Sequence, residues 1–144
     1  MIDETLVKGE NSVHRTLSRL RSIHGLVTAS LVEPDSAHVL ETVVAGSDAA
    51  TEATSTTVAA GASDVVQVIG LMAAGLGQPD ELEDVIITLG LRHHLITPLP
   101  EAGSDGLLIV LTLDRARTNL ALARQQLRAL GPLLIAATVP GRVS

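Results

Sequence analysis

His93 and His94, adjacent in the chain, are its nearest approach to a metal motif. Imidazoles bind zinc well, but a zinc site needs several ligands converging on one point. The flanking residues predict a strand, and neighbouring strand side chains point to opposite faces. The pair therefore reads as one packed and one exposed histidine. His14, His24 and His38 are scattered singly and read as surface residues. Asp80, Glu81, Glu83 and Asp84 could in principle move protons or hold a hard cation. A charge run ahead of a strand reads more simply as a solvated loop. Gly70, Gly75 and Gly77 lie within or after a helical pattern, whereas phosphate loops precede a helix. Lys8 has no glycine-rich loop before it, and no Gly-x-Ser-x-Gly elbow occurs. No nucleophile has a positioned base. The expectation is a non-enzymatic protein without metal or cofactor.

Arginine is the remaining polar feature. Arg15 and Arg19 stand one helical turn apart, and Arg117, Arg124 and Arg128 fall on the outer side of a later helical pattern. Their plain reading is solvated helix surface. If the two helices share one face of a sheet, they form a positive patch suited to an acidic partner.

The chain has 144 residues, enough for one domain. Such a length buries roughly 70% of the surface its unfolded form exposes. Hydrophobic residues make up 46% and charged residues 18%, a globular composition. Phe, Tyr, Trp and Cys are all absent. That excludes disulfides, thiolate metal sites, aromatic cages and base-stacking platforms. The net charge of −6 argues against nucleic acid as a partner. The first ten residues carry no apolar run of the secretory kind. The apolar stretches near 65–76 and 107–113 are short for a bilayer. A soluble, cytoplasmic protein with no membrane insertion is expected.

These residues must be positioned by regular elements. Leu6, Val13, Leu17 and Leu20 predict an amphipathic helix over 6–22. Residues 26–32 and 38–45 read as strands around the turn Glu33-Pro34-Asp35-Ser36. Ser47 is the expected N-cap of a long helix ending near Leu76. Positions 58, 62, 65, 69, 72 and 76 of that helix form an apolar stripe, while Val66, Val68 and Leu71 lie off it. A helix apolar around so much of its circumference needs two burial partners. Its own sheet is one, and a second subunit is the simplest other. Residues 85–89, 92–98 and 107–113 read as three strands, the last continuously apolar enough to be central. Asp114 is the expected N-cap of a final helix carrying Ala116, Leu120, Ala123, Leu127, Leu130 and Leu134. The order is α-β-β-α-β-β-β-α, an α+β chain with a mostly antiparallel sheet.

That order resembles the Roadblock domain, a dynein-light-chain-like family with many bacterial members. Val85-Ile86-Ile87-Thr88-Leu89-Gly90, Leu95-Ile96-Thr97-Pro98 and Gly106-Leu107-Leu108-Ile109-Val110-Leu111 look like its three consecutive strands. Asn119-Leu120-Ala121-Leu122-Ala123-Arg124 is similar to the start of its last helix. Gly25-Leu26-Val27 with Ser30 resembles its first strand. His93 and Leu95 stand where relatives often carry aromatics, and Gly90-Leu91 replaces a common Asp-Gly turn. The resemblance covers about residues 5–131 and gives a Roadblock-like domain over 1–135 with a flexible tail over 136–144.

The resemblance implies a five-stranded sheet in the order 2-1-5-4-3, with the first and third helices on one face and the second on the other. It also implies a homodimer through the second helix and the edge strand, with Val58, Ala62, Val65, Val66, Ile69, Met72, Val85 and Ile87 at the interface. Dimer pairing would also hide an apolar strand edge. The implied partner is a small Ras-like GTPase, with a sensor kinase-like protein in the same system. The chain would act as a scaffold or GTPase-activating partner. Thr51, Thr54 and Ser55, with Arg117, Arg124 and Arg128, are the candidate partner contacts. A small-ligand sensor domain is the alternative.

Overall fold

The computed structural model describes residues 12–45, 52–75, 82–99 and 106–138. Its five strands are β1 (Leu26–Val32), β2 (Val39–Val44), β3 (Val85–Thr88), β4 (Arg92–Leu99) and β5 (Leu107–Asp114). They form one sheet in the order β2-β1-β5-β4-β3, and every ladder is antiparallel. Helix α1 is described over residues 12–18 and tightens into a 3-10 turn at Arg19–Ser22. Helices α2 (Glu52–Gly75) and α3 (Leu120–Thr138) complete the fold. The α+β class and the strand order are those expected. The expected start of α1 at 6 and the Ser47 cap of α2 lie outside the described residues.

Apolar sequence dictates the centre. Leu107–Leu113 is buried throughout, with β1 and β4 on its two sides and helices on both faces. Alternation then divides the core in two. Leu107, Ile109, Leu111 and Leu113 meet Leu17 and Leu20 of α1 and Ala123, Leu127, Leu130 and Leu134 of α3. Leu108 and Val110 meet Ala59 and Ala62 of α2. So α1 and α3 cover one face and α2 the other. Aliphatic side chains fill both layers, with Thr28, Ser30, Ser55, Ser63 and Thr112 buried beside them.

Two turns position these layers. Gly25 joins α1 to β1 with φ +91, in the left-handed region that favours glycine. Its carbonyl accepts the Asp114 N–H at 2.8 Å, which ties the end of β5 to the exit of α1. Between β1 and β2, Ala37 is also left-handed at φ 59, and the turn is closed by Glu33 N–H donating to His38 O at 2.9 Å.

The start of α3 corrects one expectation. Asp114 does not cap it. Its carboxylate accepts the Ala116 N–H at 3.1 Å within a separate turn. The cap is Asn119, whose Oδ1 accepts the Leu122 N–H at 3.1 Å, three residues into the helix. Ala116 accordingly lies in the turn, exposed, and not on the buried stripe. At its other end α3 runs through Pro132 to Thr138, past the boundary expected at 135.

Candidate docking surface

The side of α2 that meets the sheet is made of small residues. Ser55, Ala59, Ala62 and Ser63 are buried, and Val58, Val65 and Val66 are partly buried around them. Small side chains let the helix axis approach the strands closely. The Ser63 hydroxyl donates to the Pro34 carbonyl and anchors the helix to the β1–β2 turn. The stripe read from sequence is therefore rotated. Its Ala62 faces the sheet, but Met72 is 66% exposed. Val68 at 56% and Leu71 at 75% exposure join it on the outer side. The last turns of α2 thus present Val68, Leu71 and Met72 to their surroundings together.

The edge strand β3 adds to this surface. Val85 and Ile87 lean toward the α2-side core, partly buried, and Ile69 of α2 is also partly buried. Ile86 and Leu89 are exposed. The Leu89 N–H donates to the Arg92 carbonyl at 2.8 Å. Hydrogen-bonded pairs alternate along an antiparallel ladder, so the backbone groups of Ile86 and Thr88 point away from β4. An apolar edge whose outward backbone groups have no strand partner among the described residues invites pairing with another strand.

Among the described residues, the expected partner contacts are divided between α2, which holds Ser55, and the α3 side of the sheet, which holds the arginines. Thr51 and the side chain of Thr54 lie outside the described residues. Ser55 is only 4% exposed, and its hydroxyl has no hydrogen-bond partner among the described residues. It borders a groove of about 340 Å3 with Val39, Leu40, Glu41, Thr42 and Thr56. Arg117 is exposed. Arg124 is engaged within the chain, its Nε 2.9 Å from Asp84 Oδ2. Arg128 lies 3.8 Å from both Asp84 and Glu83. The acidic run is thus not simply solvated: the Asp84 side chain is 14% exposed and pins the entry of β3 to α3. Asp80 and Glu81 lie outside the described residues.

The two histidines separate as the strand alternation requires. His93 Nδ1 is 3.0 Å from Thr88 Oγ1, and His94 Nδ1 is 3.1 Å from Thr112 Oγ1. Both are half-buried, where one packed and one exposed were expected. Burial, and secondarily the Arg92 guanidinium, hold the His94 imidazole below its usual pKa. Among the described residues, no three His, Cys, Asp or Glu side chains converge as metal ligands would.

By length and composition, Ser55–Gly75 could cross a membrane. Only 17% of its most apolar window is buried, through residues such as Ser55, Ala59 and Ala62 that pack on the sheet.

Neither the family models nor the curated proteins contain a match to this chain. Solved structures do match, and they define the class: the fold is that of the Roadblock/LC7 domain. The Roadblock/LC7 domain from Streptomyces avermitilis superposes with a TM-score of 0.68 at 16% identity, over 82% of this chain and 90% of that one. More particularly, the gliding protein MglB of Thermus thermophilus superposes with a TM-score of 0.74 at 16% identity, over 90% of each chain. Myxococcus xanthus MglB gives 0.65 at 18% identity, over 90% of this chain and 93% of that one. The likeness is one of fold.

Proposed function

We propose that this chain is a non-enzymatic homodimer that binds a small Ras-like GTPase and modulates its nucleotide cycle. The observation that carries the reading is the outward apolar end of α2, where Val68, Leu71 and Met72 are exposed. A second copy offers the same surface, and a two-fold arrangement buries both at once. Val68, Leu71 and Met72 of α2 would form the centre of the joint, with the partly buried Val58, Val65, Val66, Ile69, Val85 and Ile87 at its margin and Ala62 holding α2 to its own sheet. Two β3 edges would pair through the backbone groups of Ile86 and Thr88.

The GTPase rests on the Roadblock resemblance and on the fold shared with gliding protein MglB. In this reading the dimer holds the GTPase's switch regions in a hydrolysis-ready arrangement and need not insert an arginine finger. The protein works in a bacterial cytoplasm, with a sensor kinase-like protein in the same system. Titrating it against each Ras-like GTPase of its own genome, while following GTP hydrolysis, tests the reading. A changed rate with one of them is expected. No binding and no rate change across the whole set would sink it.

A second reading, a small-ligand sensor, is favoured by the unpartnered buried Ser55 hydroxyl beside the β2–α2 groove. Native mass spectrometry of the purified protein separates the two. A co-purified small molecule would favour the sensor.

A further inference from the structure

Charge is segregated between the layers. No acidic residue occurs in residues 12–22 or 115–138, the stretches that hold α1 and α3. Those stretches carry Arg15, Arg19, Arg21, Arg115, Arg117, Arg124 and Arg128, on a protein of net charge −6. The structure divides these cations. Arg124 and Arg128 sit on the flank of α3 that faces the acids before β3. Arg115 donates to the Leu89 carbonyl at 3.1 Å. Arg15, Arg19, Arg21 and Arg117 are exposed and have no ion pair among the described residues. Arg117 adjoins Gly25, where the chain leaves α1.

A cleft opens on the same flank. It has a volume of about 240 Å3 and is lined by Arg19, Leu20 and Ser22 of α1 and by Gln126, Ala129, Leu130 and Leu133 of α3. Gln126 Nε2 donates to Ser22 Oγ at 3.3 Å and bridges the two helices. Leu133 stands exposed at its edge. The cleft has room for one or two aliphatic side chains, and Arg19 is the cation in its lining.

We propose that the α1–α3 cleft is a second docking surface, which takes an acidic amphipathic segment of a partner protein. An aliphatic side chain of that segment enters between Leu130 and Leu133. Its carboxylates meet Arg15, Arg19, Arg21 and Arg117. Charge complementarity selects an acidic partner, and an apolar anchor in a concave site adds affinity. Concavity favours a protein segment over a flat lipid surface. The cleft lies across the sheet from α2, so it is separate from the proposed dimer joint.

A fluorescein-labelled synthetic peptide of alternating Glu and Leu pairs is the probe, followed by anisotropy with the full chain. A Lys and Leu counterpart and phosphatidylglycerol vesicles are the other arms. The Glu peptide should bind, and a rise in salt should weaken it. Arg15→Glu with Arg19→Glu should weaken it about tenfold or more. Leu133→Ala should weaken it about threefold. All three positions are exposed, and circular dichroism checks that each variant folds. The proposal is overturned if the Glu peptide binds no tighter than the Lys peptide, or if vesicles bind and the Glu peptide does not. Unchanged binding in the double Arg variant, or in Leu133→Ala, overturns it equally.

Discussion

His94 is the titrating residue on which the fold leaves a mark. Its imidazole is half-buried beside Thr112, and burial lowers its pKa from the usual 6.5. A base with a lowered pKa is neutral in the fold. Well above pH 6.5 neither state holds the proton, and His94 adds no slope. As the pH falls through 6.5 the unfolded chain takes up the proton first, so stability drops until the folded pKa is passed. His94→Asn should remove part of that loss. Urea midpoints followed by far-ultraviolet circular dichroism at neutral and mildly acidic pH check it. Equal losses in both proteins would contradict the assignment. Gly25 makes a steric claim at the same scale. A Cβ there would collide with Thr118 Oγ1, on a backbone at φ +91. Gly25→Ala should cost on the order of 3 kcal/mol, from strain and overpacking together. Gly90→Ala meets open space and should cost little in the same denaturation series.

At the scale of elements, the ion pair between Arg124 and Asp84 fastens α3 to the start of β3. It is half-exposed on the arginine side, so Asp84→Asn should cost on the order of 1 kcal/mol in urea unfolding. An unchanged midpoint would mean that solvent already serves both groups. Elements differ in how far sequence reveals them. β1 was legible to the residue, because a run rich in Val, Leu and Thr stands between Gly25 and the Glu33-Pro34 turn. β5 was legible because continuous apolarity has one natural place in a sheet. The start of α3 was not, because Asp114 and Asn119 both suit an N-cap and the turn between them decides. The pairing of Arg124 with Asp84, 40 residues apart, has no local signal at all. Nor has the rotation of α2. Its stripe was placed by bulk, whereas the sheet accepts its small residues and leaves Met72 outside with the off-stripe Val68 and Leu71.

For the whole molecule, the described residues leave an apolar end of α2 and the β3 edge exposed, and the proposed second copy would cover both. With no Tyr or Trp, such an interface lacks two common anchors, so Leu, Met and Val must carry it. The absence also removes near-ultraviolet absorbance, so association has to be followed by refractive index. Sedimentation velocity with interference optics, at tens of micromolar protein, tests the assembly most directly. Wild-type protein should sediment as a dimer, and the variant combining Leu71→Glu with Met72→Glu as a folded monomer. A wild-type protein that stays monomeric at that concentration would contradict the account.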